Sequence, residues 1–181
     1  MSEAFVGQVA ATEVGDLAVT EEIRSLIRTA LTEDLRYGPD VTTAATVPAD
    51  AVTDAAIVSR ADGVIAGVPV VLAVFDEVIG AGAYTVTSSV VDGSRVAPGD
   101  VVLSVHAPTA GLLTAERTAL NLISHLSGIA TATDRWVQAV EGTGAKVRDS
   151  RKTLPGLRLL QKYAVRAGGE STIAWVSAMR P

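Results

Sequence analysis

The stretch from residue 84 to residue 105 constrains the fold most. Tyr84, Val86, Ser88 and Val90 stand on alternate positions, and so do Val101, Leu103 and Val105. A period of two places each set on one face of a strand. Asp92-Gly93 and Pro98-Gly99 lie between the two runs as turn signals. Strands joined this closely pair antiparallel, and an apolar sheet face must be buried against another layer.

Helices flanking this stretch can supply that layer. From Thr20, which can act as a cap, Glu21 and Glu22 suit the positive end of a helix dipole. Ile23, Leu26, Ile27, Ala30, Leu31 and Leu35 then recur at helical spacing, and Gly38-Pro39 ends the run. Residues 41–47 and 53–60 read as strands. Pro69 fits the first turn of a helix reaching Ile79, with Val71, Leu72, Phe75, Val78 and Ile79 on its apolar face and Gly80 as the stop. Residues 20–112 therefore predict an α+β domain with an antiparallel sheet. Residues 1–19 show no sustained period and read as a mobile extension.

The grammar changes near residue 113. Residues 114–126 predict a helix with Leu120, Ile123 and Leu126 inward. Gly128 is expected to interrupt it, and a second helix runs to about residue 140. Gly142 and Gly144 mark a loop, residues 145–149 a short strand, and Pro155 the opening of a helix with Leu157, Leu160, Tyr163 and Ala164 on one face. Strand, turn and helix form the building unit of an α/β barrel or a doubly wound sheet. One unit cannot close a parallel sheet, so a second domain starts and stops.

Composition excludes several function classes. With hydrophobic residues at 48% the chain can bury a sizeable core, and no cysteine is present, so disulfides and thiolate metal sites are ruled out. The longest uncharged apolar run, residues 63–75, is too short to span a bilayer. Glu3 comes early and no basic start precedes it, so no signal peptide is evident. A cytoplasmic protein is expected, with neither a membrane nor a nucleic-acid partner. Gly80-Ala81-Gly82 and Gly142-Thr143-Gly144 lack the spacing of dinucleotide or Walker loops and read as turns.

Charge singles out one segment. Residues 1–145 hold seven arginines, no lysine and eighteen acids, a net of −11, whereas residues 146–181 hold eight cations and two acids, a net of +6. A basic segment on an acidic body suggests a localised anion site, although a solvated basic face would look the same. Ser150, Arg151 and Lys152 fall between the predicted strand and helix, at the strand's carboxyl end, where α/β folds place ligands. The helix that follows offers free N–H groups, Arg151 a planar fork and Lys152 a point charge. Arg117 lies one turn into the helix predicted over 114–126, beside Glu116, and an intrahelical pair is its simpler explanation. His106 and His125 have no ligand-spaced partners and read as structural, and the carboxylates show no metal motif.

Three segments, "LTEDLRYGPDVTT", "LLTAERTALNLISHLSGIATAT" and "RDSRKTLPGLRLLQKYAVRAGG", resemble the quinolinate phosphoribosyltransferases, the carboxylating nicotinate-nucleotide pyrophosphorylases, over residues 22–169. The resemblance implies transfer of phosphoribosyl from phosphoribosyl pyrophosphate to quinolinate, giving nicotinate mononucleotide, pyrophosphate and carbon dioxide in NAD biosynthesis, with Mg²⁺. It implies an N-terminal α/β sandwich (20–113) and a C-terminal α/β barrel of which 114–169 is the beginning. Ser150, Arg151 and Lys152 match the family's substrate-contacting "TRK" triplet, with Ser for Thr. Arg117 matches the arginine of "AER", which in the family reaches the neighbouring subunit's site, so a homodimer is implied. No catalytic residue and no metal ligand is assigned within this chain, because the family's acidic metal site belongs to segments that do not follow here.

The match stops after Gly169. The "NHR" and "KDNH" segments of the family are missing, and residues 170–181, "ESTIAWVSAMRP", follow instead. Codons permitted for Glu170 to Arg180, read two bases later, can spell V-N-H-R-M-G-L-S-D-A. A frameshifted, truncated and inactive product is therefore expected, with residues 170–181 an out-of-frame tail. Three other readings compete: a related pyrophosphorylase using another base, a non-catalytic dimer partner lending Arg117, and a lipoyl-type carrier. The carrier is disfavoured because no lysine precedes Lys146.

Overall fold

The computed structural model describes residues 17–169 apart from residue 39. Most of the extension predicted over 1–19, and the whole tail predicted over 170–181, lie outside the described residues.

Helix α1, Glu21–Asp34, begins as expected. Thr20 occupies the cap position in extended backbone, but its carbonyl, not its hydroxyl, makes the contact, accepting from Arg24 N–H at 3.0 Å. Ile23 and Ile27 are buried. The strand expected over 41–47 is instead a short helix, α2, Val41–Thr46. Its β-branched residues favour a strand, but Asp40 overrides them: its carboxylate accepts from Thr43 N–H at 3.0 Å and from the Thr43 hydroxyl.

Three strands form one antiparallel sheet in the order β1-β5-β3: β1 Val52–Val58, β3 Thr85–Ser89 and β5 Val101–Pro108. Ala55 opposes Val105 and Ile57 opposes Leu103 on the inner face. The register then jumps, Val58 opposing Val101, which leaves Val102 as an extra residue. This bulge corrects the predicted alternation: Val101 is turned out while Val102, Leu103 and Val105 are buried. A second irregularity, between Val86 and Ser88, puts Val86 opposite Val105 but Ser88 opposite Ser104, so those two do not share a face. A separate ribbon pairs β2, Gly63–Val64, with β4, Arg95–Val96.

Helix α3, Val68–Val78, carries a proline in its first turn. It is buried on more sides than its predicted stripe, Val70, Ala73 and Val74 being buried as well as Val71 and Phe75, because it lies at the centre of the core. Helix α4, Thr109–Ala139, is a single helix of 31 residues. It starts before the predicted residue 114 and passes through Gly128 unbroken. A glycine inside a helix costs only about 1 kcal/mol, and here the packing of Ile123, Leu126 and Ala130 on both sides of Gly128 outweighs it. Ser127 and Thr131, one turn apart on α4, accept from Ala66 N–H at 3.1 Å and Val64 N–H at 2.9 Å. They thereby satisfy the open edge of β2.

Beyond α4 the predicted strand over 145–149 is absent. Residues 145–149 belong to no helix or strand, and every paired strand among the described residues is antiparallel. A lone parallel strand has no ladder partner to define it. Residues 155–156 form a turn, and helix α5, Arg158–Ala167, begins three residues later than Pro155. Its buried residues, Leu160, Tyr163, Ala164 and Ala167, include three of the predicted four. Gly168 closes it tightly against α4: a Cβ at that position would lie 2.3 Å from the Ala130 carbonyl oxygen. Among the described residues, no helix is long and apolar enough to cross a membrane.

Candidate anion site

The basic turn, Ser150-Arg151-Lys152, connects residues 145–149 to α5 and stands exposed. Ser150 Oγ accepts from Lys152 N–H at 3.2 Å, which bends the backbone back over the serine. On one side Asp149 is pinned to Lys162 of α5 at 2.7 Å. On the other, Leu154 N–H donates to the Gln161 side-chain oxygen at 3.0 Å. Among the described residues, Arg148, Arg151 and Lys152 take no ion-pair partner. Unneutralised cations held together at fixed backbone positions can accept a dianion without first breaking an internal pair.

Arg117 points elsewhere. Its guanidinium donates to Asp34, at the end of α1, at 2.6 Å. That hydrogen bond, reinforced by the charges of Asp34 and, more weakly, Asp40 and Glu116, holds the Arg117 pKa above its ordinary value. Asp40 is pushed the other way, below the usual carboxylate range, first by the Thr43 hydrogen bonds and only weakly by Arg117. In place of an intrahelical pair, Arg117 pairs with Asp34 of a different helix, α1. No hydrogen bond or ion pair among the described residues joins Arg117 to the basic turn. His106 lies on the outer sheet face, its Nδ1 2.9 Å from Asp54, and His125 on α4 meets Gln161 of α5 at 2.9 Å.

Two groups escaped sequence reasoning. Asp92, taken only as a turn residue, receives Gly67 N–H at 2.7 Å, Val68 N–H at 3.0 Å and the Tyr163 hydroxyl at 2.6 Å. It caps α3 from 25 residues away and fastens α5 to the sheet domain. Gln161 gave no signal, because its partners, His125 and Leu154, are distant in sequence or are backbone. A cavity of about 1120 Å³ lies between the inner sheet face and α4 and is lined by Ile57, Val105, Leu112 and Ile123 among others. Its walls are largely apolar and none of Ser150, Arg151 or Lys152 lines it, so it is not where a dianion would sit.

Residues 40–127 match the quinolinate phosphoribosyl transferase N-terminal domain, and residues 129–174 match the C-terminal domain of the same family. The chain belongs to the quinolinate phosphoribosyltransferase family. It is 62% identical over 146 residues to the nicotinate-nucleotide pyrophosphorylase (carboxylating) of Mycobacterium leprae, covering 81% of this chain and 51% of that protein. A mitochondrial quinolinate phosphoribosyltransferase (decarboxylating) of Nicotiana tabacum is 37% identical, covering 83% and 42%. The solved NadC from Streptococcus pyogenes superposes with a TM-score of 0.79 at 37% identity, covering 86% of this chain and 54% of that one. The chain spans about half the length of the curated relatives it matches, so it carries the family's sandwich and only part of its C-terminal domain. Mg²⁺ takes oxygen ligands, and among the described residues no three His, Asp or Glu side chains gather to hold an ion.

Proposed function

We propose that the protein to which this chain corresponds transfers phosphoribosyl to quinolinate in NAD biosynthesis, and that Ser150, Arg151 and Lys152 hold the substrate anions. The pyridine nitrogen attacks C1 of the ribose, the C–O bond to pyrophosphate breaks, and pyrophosphate leaves with that electron pair. Loss of carbon dioxide then leaves an electron pair on the pyridine ring, stabilised by the adjacent pyridinium nitrogen and quenched by a proton from water. Both substrates are anions that repel each other. The task within reach of this chain's residues is to hold them in register, which cations on a fixed turn do without reorganisation.

The reading rests chiefly on one observation: Arg151 and Lys152 share an anchored turn and have no internal counter-ion among the described residues. Arg117 serves a neighbouring subunit's site in a homodimer, in keeping with its exposed position away from the turn. The division at residues 113 and 114 into sandwich and phosphoribosyltransferase portions, and a cytoplasmic location, complete the proposal. Calorimetric titration of the chain with quinolinate tests it. Replacing Arg151 and Lys152 with alanine should weaken binding at least tenfold, as expected for charge-assisted hydrogen bonds of about 1.5–3 kcal/mol each. Equal binding by the double variant would refute the assignment.

A further inference from the structure

The basic turn is tied down at both ends by adjacent residues of one helix. Asp149 precedes the turn and pairs with Lys162 at 2.7 Å. Leu154 follows it and donates its N–H to the Gln161 oxygen at 3.0 Å. Residues 150–153 therefore span a short bridge whose footings are neighbours on α5. The Lys162 footing is an ion pair between half-buried partners, whereas the Gln161 footing depends on which way an amide faces.

An amide has one accepting and one donating end. Leu154 N–H can only donate, so the Gln161 oxygen must face it and the NH₂ must face away. That NH₂ meets His125 Nε2 on α4 at 2.9 Å. The ring nitrogen must then accept, which fixes the imidazole with its proton on Nδ1. Rotated by half a turn, the amide would set its NH₂ against the Leu154 N–H, donor to donor. His125 thus gives the useful orientation of Gln161 a partner. The chain of contacts runs from the 31-residue helix α4 through His125 and Gln161 to the backbone immediately after Lys152.

The geometry points to His125 and Gln161 as positioning residues that set the Arg151–Lys152 turn for its anion. The inference deepens the reading of that turn as the substrate contact and rests on it. Neither side chain touches the turn's cationic groups. They act by fixing the backbone from which those groups project, and a turn held in place loses less freedom when it binds.

Two measurements on the purified chain test the inference: hydrogen exchange at the Leu154 amide and quinolinate affinity. Gln161→Leu keeps the apolar stem and removes both polar contacts. It should speed Leu154 exchange by about five- to tenfold and weaken quinolinate by a similar factor, the scale of one neutral hydrogen bond, while exchange at Leu160 and Ala164 stays unchanged. Gln161→Glu should restore both, because one carboxylate oxygen accepts from Leu154 while the other accepts from a His125 ring N–H. His125→Leu, which removes only the orienting partner, should fall between. Unchanged Leu154 exchange in Gln161→Leu would overturn the inference. So would restoration of exchange by Gln161→Glu without restoration of affinity. If alanine at Arg151 and Lys152 leaves affinity intact, the functional reading fails by itself, and Leu154 exchange alone decides whether the tether exists.

Discussion

The helix–sheet core and the segment after α4 follow different rules. In the core, α3 packs against α4, and Ile27, Val70, Val74, Leu126 and Ala130 are wholly buried. From residue 141 to residue 157 no residue is buried, no helix or strand forms, and side-chain bonds to α5 at Asp149 and Leu154 help to set its position. The acidic, apolar region supplies stability. The basic region supplies exposed charge and borrows its shape. Truncations should therefore be costly in the first and nearly silent in the second, except where they cut a tether.

Core truncation is the strongest test of that contrast. Leu126→Ala empties a fully buried site beside Gly67, where the Leu126 side chain approaches within 2.9 Å of a glycine Cβ position. It should lower unfolding free energy by about 2–5 kcal/mol. Leu154→Ala, at a residue 52% exposed, should change it by less than about 0.5 kcal/mol. Similar losses in urea unfolding would abolish the distinction between the regions.

Asp92 joins the two regions and should rank next. Asp92→Ala leaves Gly67 N–H, Val68 N–H and the Tyr163 hydroxyl without their acceptor. A cost of about 1–3 kcal/mol follows for the orphaned groups, with increased exchange along α5 as the local signature. A loss confined to α3 would mean that the Tyr163–Asp92 bond contributes little to holding α5.

Tyr84 gives the core a pH limit. Burial, then its hydrogen bond to Asp76 at 3.0 Å, pushes its hydroxyl up to about 12 from 10. The unfolded chain loses this proton first, so the folded state holds more protons across that interval. The contribution is complete below pH 10 and disappears as pH rises toward 12. Urea midpoints should fall over that window, and Tyr84→Phe should flatten the fall. The basic segment has no part in this titration, so neutralising Arg151 and Lys152 should leave the slope alone.

How far the sequence revealed these rules depended on whether a signal was local. The apolar faces of α1 and α5 and the antiparallel pairing of β5 could be read because burial imprints a period on consecutive residues. The strand predicted over 41–47 failed because one carboxylate, Asp40, outweighed five β-branched residues. The break predicted at Gly128 failed because tertiary packing holds α4 together. The bulge at Val102 left no trace, since either valine could face inward. The basic turn was legible as charge, but its footings at Gln161 and Lys162 and the cap from Asp92 are long-range pairings that no spacing announces.

Arg117 offers the smallest expected effect and the finest cut between the regions. It sits on the core's longest helix yet is 73% exposed, and its partner Asp34 is only 16% exposed. Its raised pKa keeps the guanidinium charged even at high pH, so alkali cannot release it, whereas salt can, as the screening length shrinks from about 8 Å to about 3 Å between physiological and molar ionic strength. Surface ion pairs with one mobile, solvated partner contribute little to folding. Arg117→Ala should therefore leave the urea midpoint indistinguishable from wild type at both low and high salt. A clear destabilisation at low salt that vanished at high salt would instead make the Asp34–Arg117 pair a structural clamp between α1 and α4. Arg117 would then belong with the core, and its availability to a second subunit would need the clamp to open first.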